Sequence, residues 1–170
     1  MKNKHNYLKK FSFLFYLMLI FNIFLIINKA LSSNFLIEKD HLVLDLKHNI
    51  YWLRCSVGQT WDNNNNSCTG KAIKLTMNQV NQAISKADEQ LGGNWRLPTR
   101  EELESIVCLE CGKVKINSKI FPGTPYEPFW TGEKNSWSKQ FYWSVNFFTG
   151  HTFGRFPGSI PNFVRLVRNR

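Results

Sequence analysis

The sequence predicts an α+β domain, with two helices packed on antiparallel sheet and a long irregular loop region. Three observations predict it. Helical spacing of apolar residues is confined to one stretch, from Thr76 to about Val107. Strand-like runs lie on both sides of that stretch, and the last of them reaches the chain end. Between the second helix and the final strands, Pro122-Gly123, Pro125 and Pro128 punctuate an excursion that begins at Ile116.

The first residues must be set aside before the elements are read. Lys2, Lys4, Lys9 and Lys10 form a basic start, and Phe11 to Ile27 is apolar except for Ser12 and Asn22. Ala30-Leu31-Ser32 then offers small residues at the spacing of a signal-peptidase site. Residues 1–32 are expected to be a signal peptide cleaved after Ser32, with an uncleaved N-terminal membrane anchor as the alternative. The rest, residues 33–170, has the length of one domain with a single core.

Phe35 to Asp45 reads as a first strand or hairpin arm, and Ile50 to Arg54 as a second strand. His48-Asn49 between them is a short polar turn, so the two should pair antiparallel, with Trp52 as a core anchor. Thr76 to Leu91 is the clearest helix, because Val80, Ala83, Ile84, Ala87 and Leu91 repeat at intervals of three and four. Gly92-Gly93 ends it.

In Trp95-Arg96-Leu97-Pro98-Thr99-Arg100-Glu101-Glu102-Leu103, Pro98 keeps Leu97 out of the helical region and Thr99 and Glu102 have the spacing of a capping box. A short helix should follow from Arg100 to about Val107, burying Leu103, Ile106 and Val107. Strands resume at Phe129 to Thr131, Gln140 to Phe148, His151 to Phe153 and Phe163 to Val167, with Thr149-Gly150 as a hairpin turn.

Cys55, Cys68, Cys108 and Cys111 all lie in the exported part, where disulfides are the default. Four cysteines allow three pairings. Cys55 and Cys68 bracket a loop whose polar tip, Asn63 to Asn66, makes closure easy. Cys108-Leu109-Glu110-Cys111 also has the spacing of a redox pair or of half a zinc site. A zinc site would need two more ligands, and His5, His41, His48 and His151 lack the paired spacing, so no metal or other cofactor is expected. A redox pair belongs at a helix start after a strand, whereas this one follows a helix end.

Five of the 22 basic residues lie in residues 1–32, leaving 17 against 12 acids, net +5. That is too little for a dedicated nucleic-acid binder. The charge is uneven, however: beyond Glu133 there is no acid, while Lys134, Lys139, Arg155, Arg165, Arg168 and Arg170 follow. Lys134, Lys139, His151, Arg155, Arg165 and Arg168 are the candidate ligand-binding residues, with His151 joining in acid. Trp137, Phe147, Phe148, Phe153 and Phe156 are interleaved with them. Such a surface could hold sulfate or carboxylate groups in Arg forks while sugar faces rest on rings. A solvated basic face and a protein interface are the other readings. Trp143, Val145 and Phe147 should face the core and Tyr142 and Asn146 outward.

Tyr51 to Trp61, Cys68-Thr69-Gly70, Trp95 to Thr99 with Glu102-Leu103, Ile116-Asn117 with Phe121-Pro122, and Val164 to Arg168 together resemble the DUF1566 or Lcl C-terminal domain family. The resemblance implies a C-type-lectin-like fold in an exported bacterial protein, periplasmic, outer-surface or secreted. The family takes its name from a collagen-like surface adhesin whose terminal domain binds sulfated glycosaminoglycans. It therefore implies a non-enzymatic binding or adhesion domain of the cell envelope, whose partner is an anionic polysaccharide such as a glycosaminoglycan or an envelope protein. No catalytic residue is expected. The departures are the missing Gly-X-Y repeat, Phe129 where sugar-binding lectins place a calcium ligand after Glu127-Pro128, and no cysteine after Cys111 for the copper site of fold-related enzymes. An envelope thiol-disulfide enzyme using Cys108 and Cys111 is the alternative function.

Overall fold

One four-stranded antiparallel sheet brings the beginning and the end of the domain together. Its strands are β1 (Phe35–Lys39), β2 (Leu42–Asp45), β3 (Ile50–Leu53) and β11 (Val167–Asn169), in the order β1-β2-β3-β11. The computed structural model describes residues 35–170, together with Tyr16, Met18 and Leu19, so the expected signal peptide lies outside the described residues apart from those three. Residues 35–170 form one unit with its own apolar clusters and both disulfides, which makes it self-contained as a folding unit.

The β2–β3 hairpin forms as expected, with Val43 opposite Trp52. Its turn is organised by Asp45, a buried carboxylate that accepts the amides of Lys47 and His48, His48 Nδ1 at 2.8 Å and Trp52 Nε1 at 3.3 Å. Those bonds replace the water that Asp45 loses, and the turn tolerates Asn49 at φ 54°. The run from Phe35 to Asp45 is two paired strands rather than one arm. The polar Asp40-His41 turn breaks it.

The segment between Cys55 and Cys68 is also more ordered than a loop. It contains a hairpin, β4 (Gln59–Asp62) with β5 (Ser67–Gly70), whose tip is tied by Asp62 accepting the amides of Asn64 and Asn65. That side-chain capping is what a run of asparagines after an aspartate favours.

Two helices lie within residues 35–170. In α1 (Met77–Leu91), Thr76 precedes the first turn and its amide donates to Gln79 Oε1. Trp95 closes the far end, since its amide donates to Asp88 and its indole to Gly92 O. The expected capping box opens α2 (Arg100–Ser105): Glu102 N donates to Thr99 Oγ1 at 3.2 Å and Thr99 N to Glu102 Oε2 at 2.7 Å. Arg96 adds a fork on the same carboxylate, two bonds of 2.8 Å, and reaches Asn169 of β11. Burial alone would raise the pKa of Glu102, but the Arg96 fork and the Thr99 amide outweigh it and hold the carboxyl below its ordinary range.

The last strands form a second sheet in the order β6-β10-β7-β8-β9, from β6 (Lys74–Leu75), β7 (Pro128–Lys134), β8 (Phe141–Asn146), β9 (Thr152–Pro157) and β10 (Asn162–Phe163). Two expectations change here. Phe163 to Val167 is not one strand: β10 runs parallel to β7, and the chain then crosses to pair as β11 with β3. The alternation of β8 holds, with the bulges falling in its neighbours β7 (between Trp130 and Lys134) and β9 (between Phe153 and Phe156), but both of its faces are packed. Val145 and Phe147 are core as expected. Tyr142 instead packs on Trp130, and Trp143 is half-buried beneath the Arg100 guanidinium. The fold is mixed α/β, mostly strands, and fits the α+β expectation.

Candidate functional site

The cations expected to form one surface divide into two groups by burial. Arg165 is fully buried where the chain crosses from β10 to β11. Its guanidinium donates to Leu53 O, Arg54 O, Ser56 Oγ and Thr124 Oγ1, and it stacks on Phe121 at 4.8 Å. No carboxylate faces it among the described residues. Burial pushes its pKa down to about 9, which leaves it protonated at neutral pH. The neighbouring Arg54, only 5 % exposed, donates to Asp40 O, Lys119 O and Ile120 O beneath Trp61. Together they tie the irregular loop to the end of β3.

Arg168 is half-buried and lies against two rings. Its guanidinium lies 5.2 Å from the Tyr51 ring and 5.4 Å from that of Trp95. A side chain on Gly93, which has φ 100°, would come within 2.8 Å of Arg168 Nη1. The glycine pair that ends α1 thus makes room for this arginine.

Lys134, Lys139 and Arg155 remain exposed, and all three lie at one end of the second sheet. Lys134 ends β7 opposite Tyr142, with its ammonium 5.5 Å from that ring. Lys139 is in the β7–β8 turn. Arg155 is exposed on the edge strand β9, within the bulge between Phe153 and Phe156; Phe156 packs inward on Trp130, and Phe153 is 42 % exposed. Among the described residues none of these cations has an acidic partner. Glu133, the nearest acid in sequence, is engaged by the amide of Arg100 at 2.8 Å.

Trp137 completes this end. It is 96 % exposed, an extreme value for an indole, and its turn is rigid rather than loose. Asn135 Oδ1 accepts the amides of Trp137 and Ser138, while Asn135 Nδ2 donates to Gly154 O of β9 at 2.7 Å. The sequence placed Trp137 among several interleaved aromatics without distinguishing it. The Asn135-Ser136-Trp137-Ser138 turn chemistry was the available signal.

His151 does not join the tip. It follows the β8–β9 turn, four strand residues or ~13 Å from Arg155. Near it is a different surface, with Leu109, Tyr126 and Phe148 exposed and Lys113 Nζ 4.6 Å from the Tyr126 ring. All four cysteines are paired, Cys55 with Cys68 and Cys108 with Cys111, at Cα separations of 5.5 and 5.4 Å. The second bridge closes the loop after α2.

The tip can therefore do two things chemically: present three cations to anionic groups, and present an indole face to a flat apolar surface. Neither requires a nucleophile or a metal. No curated protein and no solved structure matches the chain. The Lcl C-terminal domain model matches residues 41–168, which covers the capping box, both disulfides, the tip and the buried arginines, and the chain belongs to that family.

Proposed function

We propose that this is a non-enzymatic, exported binding domain of the bacterial cell envelope, which holds an anionic, sulfated glycan across the β7–β8 tip. The observation that carries the reading is Trp137: an almost fully exposed indole on a turn tied by Asn135, with exposed Lys134 and Lys139 in the same connection and exposed Arg155 on the edge strand β9. An indole has only two side-chain torsions to fix on binding, and cations without acid partners at the same end of the sheet supply charge complementarity. Family membership favours the same reading. The fold is proposed to be C-type-lectin-like, on the strength of the terminal strands β1 and β11 in one sheet, the two helices and the long irregular loop.

Thiol chemistry at Cys108 and Cys111 is less favoured. The pair follows the C-terminal end of α2, where the helix dipole disfavours a thiolate.

Retention of residues 33–170 on a heparin column tests the proposal. At ~50 mM salt, where surface charges are least screened, the domain should be retained, and rising salt should elute it. Passage through the column at that salt rejects the glycan reading. Retention equally strong on vesicles of anionic lipid would reassign the tip to a membrane surface.

A further inference from the structure

We propose a second site, distinct from the tip: the cleft between α1 and the disulfide-closed β4–β5 hairpin holds the alkyl chain of an amphiphilic carboxylate. The cleft has a volume of about 700 Å³, within the usual range of small-molecule sites. It exists because α1 presents Ala83 and Ala87 to it, side chains too short to reach the opposite wall. On that wall Gly58 has φ 94°, and a side chain there would strike Lys71 O at 2.7 Å and Ile73 at 3.0 Å. The wall is thus pressed against Ile73 and holds its shape.

The lining selects the ligand class. Leu53, Val57, Leu75 and Leu166 form an aliphatic floor, and Ile73 and Leu91 at its margin are 44 and 47 % exposed. Covering such large aliphatic groups with an alkyl chain is favourable by about 0.8 kcal/mol per CH₂. A sugar ring fits poorly, since the one aromatic wall, Trp61, already has the Arg54 guanidinium 4.1 Å from its ring. The polar lining includes the uncharged amides Gln82, Gln90 and Asn63, with His41 and one lysine, Lys86. Lys86 makes no ion pair among the described residues, and no Asp or Glu lines the cleft. An anionic head group therefore meets a cation that no acid of the lining pairs with, whereas a cationic head would be repelled.

The test is dodecanoate binding to residues 33–170 with both disulfides intact, measured by titration calorimetry beside dodecanol and dodecyltrimethylammonium. One dodecanoate should bind per chain, at least tenfold more tightly than either analogue. Lys86→Glu, on the exposed rim, should weaken dodecanoate at least tenfold, and Ala83→Trp should abolish binding by filling the cleft; retention on heparin should survive both. The proposal is overturned if dodecanoate fails to bind below about 1 mM, if dodecanol or the cationic amphiphile binds as well, or if Lys86→Glu leaves the affinity unchanged. Should Ala83→Trp fail to fold, Lys86→Glu and the head-group series decide alone.

Discussion

Arg165 and Lys139 carry the same charge in the same acid-free stretch of sequence, yet they belong to opposite parts of the molecule. Arg165 is enclosed by backbone carbonyls, two hydroxyls and the rings of Phe121 and Phe129, and it fastens the irregular loop to β3. Lys139 stands in solvent beside Trp137, with no acid partner among the described residues. The difference teaches that net charge in a sequence counts cations without assigning them. A buried guanidinium bonded to carbonyls and hydroxyls builds the scaffold, and an exposed cation can meet a ligand.

The comparison breaks most visibly at Arg165. Replacing it by Ala strands the acceptors of Leu53, Arg54, Ser56 and Thr124 in the interior, and about 3–5 kcal/mol of stability should be lost. Thermal melts would reveal a large fall in Tm; a drop of only a degree or two would mean that the buried cluster is not holding the loop. Next in size come the disulfides. Cys55→Ser with Cys68→Ser opens a 13-residue separation and should cost about 3 kcal/mol, more than removing the three-residue Cys108–Cys111 link. Denaturant midpoints of the two double variants give the ranking, and equal losses would contradict it.

Glu102→Gln sits between the two regions, because it leaves the cap but weakens the Arg96 fork. Arg96 is 36 % exposed, so the loss should be modest, about 1–2 kcal/mol. The pH signature is more specific. The folded pKa of Glu102 is depressed, so its contribution is present above the ordinary carboxylate range and disappears as pH falls through the depressed value. Stability measured against pH should lose part of its acid slope in Glu102→Gln. The smallest effect on stability should come from Trp137→Ala, within about 0.5 kcal/mol of the parent. Its effect should appear in heparin affinity instead, roughly a fivefold to tenfold loss, the size of one ring contact. Unchanged affinity would remove Trp137 from the site.

What was legible in the sequence was local. Thr99 and Glu102 specify their capping box over four residues, and Val80 to Leu91 specify a helix by period alone. The β2–β3 hairpin and the Thr149-Gly150 turn were equally plain. What was hidden depended on distant partners. The parallel pairing of β10 with β7 separates Phe163 from Val167, and the crossing between them is what buries Arg165. Both faces of β8 are covered, Val145 and Phe147 in one apolar cluster and Tyr142 on Trp130 in the other, so a one-sided reading of the strand misplaced Tyr142. The tip was half visible: Lys134, Lys139 and Arg155 were named, but the turn that carries Trp137 is tied by Asn135 bonding across to Gly154 of β9, a contact from turn to distant strand.

The central claim is that exposed cations at the tip, and not the total basic charge of the chain, bind the glycan. It is tested most directly by combining Lys134→Glu, Lys139→Glu and Arg155→Glu and titrating heparin at ~50 mM salt, where surface charges act at full strength. The account predicts an unchanged melting temperature and a loss of affinity of a hundredfold or more, while Lys71→Glu with Lys119→Glu, away from the tip, leaves affinity near the parent value. Heparin binding that persists in the tip variant, or falls equally in both, would contradict it.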